Sequence, residues 1–381
     1  MVARVMYWQL SAYYFFHFAT LGILLPYFGL YLTSIGFSPL EIGTIFAISL
    51  GTKIVAPNLW AWISDRSDSY MLLVRGASLA AMFSLLALFI ARSFAAIGLT
   101  MLVFSFFWNA ILPQMEATTM NHLGERGGRY GRVRLWGSVG FIAAVSALGL
   151  LIERRDAGVV VPALLLASFG IVVATMLVRV EGSRKRSEGN ERLGDLLRRP
   201  GVPVLFAAFL LMQASHAPYY SFFTLYLRQY QVQTDLIGLL WVVGVVAEVV
   251  LFIFSHRLLA RFSLRSVFLF CFALTALRWL LIMTFPDVLP LVLFAQSLHA
   301  VSFGAYHAAA ISWIHRSFSG AVQHRGQALY NSLSFGVGGA VGSYVSGLLW
   351  QQAGAASIWW FAIAAALLAL VLVSLTPRTR V

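Results

Sequence analysis

Charge is scarce in this chain of 381 residues: charged side chains make up 11% of it, and only 14 residues are acidic. There is a single cysteine, Cys271, which excludes internal disulfides and cysteine-ligated metal sites. No GxxxxGKS or GxxxxGKT loop occurs, which argues against an ATP-driven pump. No HExxH, no GxSxG and no His-Asp pair at a membrane face occurs either, which argues against an integral-membrane enzyme such as a lipid-modifying transferase. Alternating apolar and polar residues are missing too, so a barrel of strands is excluded. Long hydrophilic stretches are almost absent. Only RVEGSRKRSEGNERLGDLLRRPG, residues 179–201, is longer than a turn.

Apolar residues fill the rest, at 60% of the chain, more than a water-soluble globule can keep in solution. Runs long enough to span a bilayer, about 20 residues each, lie at roughly 8–33, 39–62, 71–91, 94–121, 135–152, 159–178, 203–227, 235–254, 265–285, 289–313, 327–349 and 357–375. The first is too long for a signal-peptide core and reads as a first helix. The expected fold is all-α, with twelve transmembrane helices in two pseudo-symmetric six-helix bundles, at 1–178 and 203–381. Residues 179–202 would be a cytoplasmic linker of mixed charge.

The formal charge of +13 follows from topology. With the N-terminus cytoplasmic, most lysines and arginines fall on the cytoplasmic side. Arg92, Arg154, Arg155 and Arg228 lie opposite, and Lys53 and Arg278 lie inside spans. Both termini are therefore expected in the cytoplasm of a multi-pass inner-membrane protein. Its basic surface would meet anionic lipid, and no nucleic acid is implied. The segment WISDRS after helix 2 is echoed by FSHRLL after helix 8.

Six plus six helices about a central loop is the layout of transporters built from two related bundles, in which helices 1, 4, 7 and 10 line the path. The buried polar groups fall there: His17 in helix 1, Asn109 and Glu116 in helix 4, Gln213 and His216 in helix 7, Gln296 and His299 in helix 10. Gln213, His216, Tyr220 and Phe223 share one helical face, as do Gln296, His299, Phe303 and His307. Gly338 and Gly342 in helix 11 suit close helix packing. An ionised group at the bilayer centre costs about 2.5–3.5 kcal/mol even on insertion scales, so Glu116, Glu248 and Arg278 call for a role. Lys53 lies nearer the cytoplasmic end of its span and can snorkel.

The segments LGILLPYFGLYLTSIGFSPLEIGTIFAISL, ISDRSD and YGRVRLWGSVGF resemble the Major Facilitator Superfamily. Within it they resemble the branch of the lactose, nucleoside and phenylpropionic acid permeases. Gly22, Pro26, Phe28, Gly43, Ile45, Phe46 and Ala47 follow the branch pattern, and Asp65 and Arg66 match the loop 2-3 gating motif. Ala61 and Asp68 replace two of that motif's glycines. QASHAPYYSFF, QSLHAVSFGAYHAA and ALRWLL are most similar to the phenylpropionic acid permease subgroup.

The resemblance implies a substrate-holding pair, Glu116 and Arg134, with Phe141 where the sugar permease has a stacking tryptophan; Arg132 would sit at the headgroups. It also implies working roles for Glu248, Arg278 and His299, while Ser302 stands where the sugar permease carries its proton-bearing carboxylate.

The expected activity is proton-coupled symport of a small aromatic organic acid by alternating access. No cofactor is expected beyond the coupling proton, and the chain would act as a monomer. Glu116 and Arg134 would form the N-half substrate contact, with Arg278, His216 and Gln296 as the C-half contact. Tyr219, Tyr220, Phe223 and Phe303 would pack the aryl body. Glu248 is the first candidate for the proton carrier and His299 the second, because imidazole titrates near neutrality. A proton-coupled sugar or nucleoside permease, with Glu116 accepting hydroxyl hydrogen bonds, is the alternative.

Overall fold

The computed structural model describes residues 2–64, 66–67, 70–123, 130–178, 201–318 and 321–376. Twelve helices there are long and apolar enough to cross a membrane. They are α1 (Val5–Ser34), α2 (Pro39–Ser64), α3 (Tyr70–Phe89), α4 (Phe94–Leu123), α5 (Tyr130–Arg154), α6 (Ala157–Leu177), α7 (Val202–Gln229), α8 (Thr234–Arg261), α9 (Leu264–Thr284), α10 (Leu289–Ser317), α11 (Arg325–Ala353) and α12 (Ser357–Leu375). Large apolar side chains stand exposed along them, such as Leu166 and Phe169 on α6 and Ile253 on α8. Patches of this kind are stable against lipid and unstable in water.

Two compact units divide the chain: Met1–Arg186 with Gln233–Leu239, and Ser187–Val232 with Leu240–Val381. In the first, α1 packs on α5 and α6, α3 on α4 and α6, and α2 on α4. In the second, α7 packs on α11 and α12, and α9 on α10 and α12. Four of the first unit's pairings recur in the second six helices on, as an internal repeat leads one to expect. Of the linker expected at 179–202, residues 179–200 lie outside the described residues. The opening turns of α8 group with the first unit, where Thr234 N–H donates to Glu153 Oε2 at 2.7 Å.

Backbone proximity explains several small residues. A Cβ at Gly22 would lie 2.9 Å from the carbonyl oxygen of Phe141, and one at Gly140 would overlap the carbonyl of Phe15. Only glycine lets α1 and α5 touch there. Gly342 does the same on α7, where a Cβ would lie 2.6 Å from the Ala214 carbonyl oxygen.

A second repeated device closes helix ends. Arg75 of α3 donates to the carbonyls of Thr175, Met176 and Val178 at the end of α6. Arg265 of α9 donates to those of Val373 and Ser374 at the end of α12. Each guanidinium satisfies orphan carbonyls and opposes the negative end of the helix dipole.

The long polar helices α10 and α11 are not regular. Ala300–Ala305 and Asn331–Gly338 adopt π-helical turns, where a wider ladder changes which side chains share a face.

Candidate functional site

In the first unit, Arg134 lies on the first turns of α5 and is half-buried. Its guanidinium stacks over Phe18 at 3.7 Å and stands 5.8 Å from the ring of Tyr14. Gly137, one turn on, makes room for it, since a Cβ there would lie 2.7 Å from Arg134 Nη1. The ring beside the guanidinium is thus Phe18, which the sequence reading missed. Phe141, expected to present an aromatic face to substrate, is instead buried against Gly22 at the α1–α5 crossing. Phe18 follows His17 directly in α1. Arg132 is exposed at the start of the helix.

Glu116 on α4 is half-buried and accepts a hydrogen bond from Tyr130 Oη at 3.2 Å. It feels the charge of Arg134 through space, but the two do not form the direct ion pair that the resemblance implied. Around them, Tyr14 donates to Thr119 Oγ1 at 3.2 Å and meets Tyr130 edge-on at 6.4 Å. His17 is buried, stacked on Trp108 at 4.6 Å and paired with Tyr13 Oη at 3.2 Å, within electrostatic reach of Lys53 and Arg134. Asn109 is a brace, donating to Thr52 Oγ1 at 2.8 Å and so tying α4 to α2. Arg66 is exposed, folded back over Trp62 at 4.0 Å. Asp65, the other residue of the loop 2-3 motif, lies outside the described residues.

In the second unit a chain of polar contacts runs from α9 through α10 to α8. Arg278 is 0% exposed, between the rings of Tyr219 at 4.3 Å and Trp279 at 4.6 Å. Its Nη2 donates to Gln296 Oε1 at 3.1 Å, and Nη1 donates to Ser302 Oγ at 2.9 Å and reaches His299 Nδ1 at 3.0 Å. A guanidinium can only donate, so His299 Nδ1 is an acceptor and the ring hydrogen sits on Nε2. That Nε2 faces Glu248 Oε2 at 3.3 Å. Gly244 on α8 lies beside Gln296 and His299, and Gly304 on α10 lies beside Glu248. After Asp235 the sequence holds only two acids, Glu248 and Asp287, and Asp287 falls between α9 and α10. Glu248 is therefore the negative charge that the buried arginine reaches through His299.

Arg278, expected in the C-half substrate contact, has no exposed surface here, and both its Nη atoms are engaged by Gln296, Ser302 and His299. Ser302, at the position where the sugar permease has a carboxylate, is one of its acceptors. His216 is likewise fully buried: Nδ1 donates to the Met212 carbonyl at 2.9 Å, which leaves Nε2 without a partner among the described residues. Gln296 and Gln213 are buried too, and Tyr219 and Phe223 are core residues. Tyr220, Phe303, His307 and Glu248 keep partial exposure. The signal that separates the two groups is burial by neighbouring helices, which helical periodicity does not carry.

Two repeated bundles of membrane-spanning helices, each with charged groups held inside, define a polytopic transporter. The chain belongs to the MFS_1 like family, which matches residues 7–361, and is a membrane transporter of the Major Facilitator type and not an enzyme. It is 29% identical over 360 residues to the "Probable 3-phenylpropionic acid transporter" of Escherichia coli (strain K12), covering 92% of this chain and 93% of that one. It is also 29% identical over 374 residues to the "Maltose permease" of Geobacillus stearothermophilus, covering 97% and 94%. Among solved structures, the nucleoside transporter NupG superposes with a TM-score of 0.80 at 17% identity, covering 97% of each chain. A bacterial homologue of the human lysosomal transporter Spinster gives 0.74 at 12% identity, covering 98% and 95%. These two likenesses speak to the fold.

Proposed function

We propose that the protein is a proton-coupled symporter of a small organic carboxylate, with an aromatic body, working by alternating access as a monomer in the inner membrane with both termini cytoplasmic. The observation that carries this reading is Arg134. Its guanidinium is half-exposed, lies on the face of Phe18, and has no hydrogen-bonded partner among the described residues. A planar fork of donors above an aromatic ring suits a carboxylate, which takes two parallel charge-assisted hydrogen bonds. Glu116 is engaged by Tyr130, which keeps its charge from occupying the fork.

The proton belongs to Glu248. Arg278 donates into His299 Nδ1, so His299 is held neutral with its Nε2 hydrogen toward the carboxylate. A carboxylate with partial exposure can exchange a proton, and its neutralisation leaves Arg278 without its counter-charge. The bound anion of the substrate restores the charge balance of the cycle. A 29% identical relative named for 3-phenylpropionic acid supports the substrate class.

A neutral polyol is the second reading, favoured by the half-buried carboxylate of Glu116 and by the maltose permease relative. Uptake into proteoliposomes under an inward proton gradient tests both. The acid reading expects accumulation of labelled 3-phenylpropionate, abolished by collapsing the gradient and weakened about 10- to 100-fold by Arg134→Gln. Accumulation of labelled maltose or uridine without 3-phenylpropionate transport would replace it with the second.

A further inference from the structure

One motif of the sequence has no part in the transport reading: FSHRLL, residues 254–259, near the end of α8. Its counterpart in the first half reads Ser-Asp-Arg at 64–66, and the second copy reads Ser-His-Arg, with His256 in place of the aspartate. The cation is kept and the acid is lost. From Glu248 to Val381 the sequence holds one further acid, Asp287, which lies past the far end of α9.

The residues leading to this motif form a graded face. Val246, Val250, Ile253, Phe254, Arg257 and Arg261 are all exposed, and their spacing puts them on one side of α8. That side is apolar for about two turns and then cationic. At 1.5 Å per residue, Val246 lies about 16 Å along the axis from Arg257. One leaflet of hydrocarbon is about 15 Å deep, half of a core of about 30 Å. The face therefore matches a single phospholipid in order and in length, with an acyl chain along Val246 to Phe254 and a headgroup at the guanidiniums.

Both arginines are available for a ligand. Arg257 stands 5.8 Å from the ring of Phe254 and Arg261 5.9 Å from that of Phe262, and neither has a hydrogen-bonded partner among the described residues. Arg265, nearby on α9, is instead occupied by the carbonyls of Val373 and Ser374. Basic residues at the end of a span also record topology. Topology alone does not call for an apolar track of leaflet length on the same helical face.

We propose that this face of α8 is a binding surface for an anionic phospholipid. Arg257 and Arg261 hold the phosphodiester, for which guanidinium forks are suited. Ile253 and Phe254 carry the first part of one acyl chain.

Native mass spectrometry of the purified full chain, titrated with dioleoyl phosphatidylglycerol and with dioleoyl phosphatidylcholine, tests it. The variants are Arg257→Gln, Arg261→Gln and the two together, with Arg316→Gln as the control, an exposed cation at the end of α10. The wild type is expected to bind its first phosphatidylglycerol about 5- to 30-fold more tightly than phosphatidylcholine, at about fivefold for each arginine beside an anionic headgroup. Each single variant is expected to lower that ratio by about fivefold. The double variant is expected to bring it close to one, and the control to leave it unchanged. The ratio is taken within each sample, so a smaller folded fraction does not alter it. Glycerol 3-phosphate, which has the phosphate without the chain, is expected to displace phosphatidylglycerol only at far higher concentration. Equal binding of the two lipids by the wild type, a preference that survives in the double variant, or an equal loss in Arg316→Gln overturns the site. Displacement by glycerol 3-phosphate as readily as by the lipid itself overturns it too, since the apolar track would then contribute nothing.

Discussion

Replacing Glu248 by glutamine removes one charge and almost no volume. The amide oxygen still accepts from His299 Nε2, so the contact survives while the counter-charge of Arg278 is lost. Breaking a fully buried pair costs about 3–5 kcal/mol, because the remaining charge stays out of water. Glu248 retains 19% of its side-chain exposure, and water screening brings the expected loss to roughly 1–3 kcal/mol. A cycle of Glu248→Gln, Arg278→Gln and the double variant isolates the coupling, measured by chemical denaturation in mixed micelles. The double variant buries no lone charge, so its loss is expected to be smaller than the sum of the single losses. In proteoliposomes, Glu248→Gln is expected to keep substrate exchange at equal pH and to lose accumulation driven by a proton gradient. Additive stability losses together with intact pH-driven accumulation would refute both the charge coupling and the proton role.

Arg134→Gln is expected to weaken acid transport by about 10- to 100-fold, the loss of one or two charge-assisted hydrogen bonds, with Arg134→Lys intermediate because an ammonium has no fork; initial-rate uptake reads both. Ser302→Ala is expected to lower stability by about 1–3 kcal/mol, as an Nη1 hydrogen of the buried Arg278 loses an acceptor, without loss of substrate exchange. Gly140→Ala drives a methyl into the Phe15 carbonyl and is expected to destabilise by about 1–3 kcal/mol, seen as a lower melting temperature in detergent. Arg75→Ala and Arg265→Ala are each expected to cost about 0.3–2 kcal/mol and to speed amide exchange at the ends of α6 and α12, two equal effects from two repeated caps.

The twelve spans and the faces of α7 and α10 were legible because lipid dictates long apolar runs and because polar residues at steps of three and four stay together on any helix. The sequence also pointed to Arg134, Glu116, Glu248 and His299. What it could not carry was the fate of each group once the helices packed. Ser302, Gln296 and His299 occupy the Nη atoms of Arg278, and they meet it only through an α9–α10 contact that the sequence does not show. Phe18, and not Phe141, lies beside Arg134, since Phe141 is buried where Gly22 brings α1 onto α5. The π turns leave no trace in hydrophobic periodicity, since they depend on how α10 and α11 are held by their neighbours.

The single acid beside the arginine–histidine chain bears on energetics across a polarised bilayer. One proton loaded on Glu248 with one carboxylate anion moves no net charge, so such a cycle is silent to voltage and draws only on the pH difference. A second proton per turnover would add about 2.3 kcal/mol of driving force for each 100 mV. Current recorded during uptake therefore counts protons, and its absence would mark an electroneutral carrier.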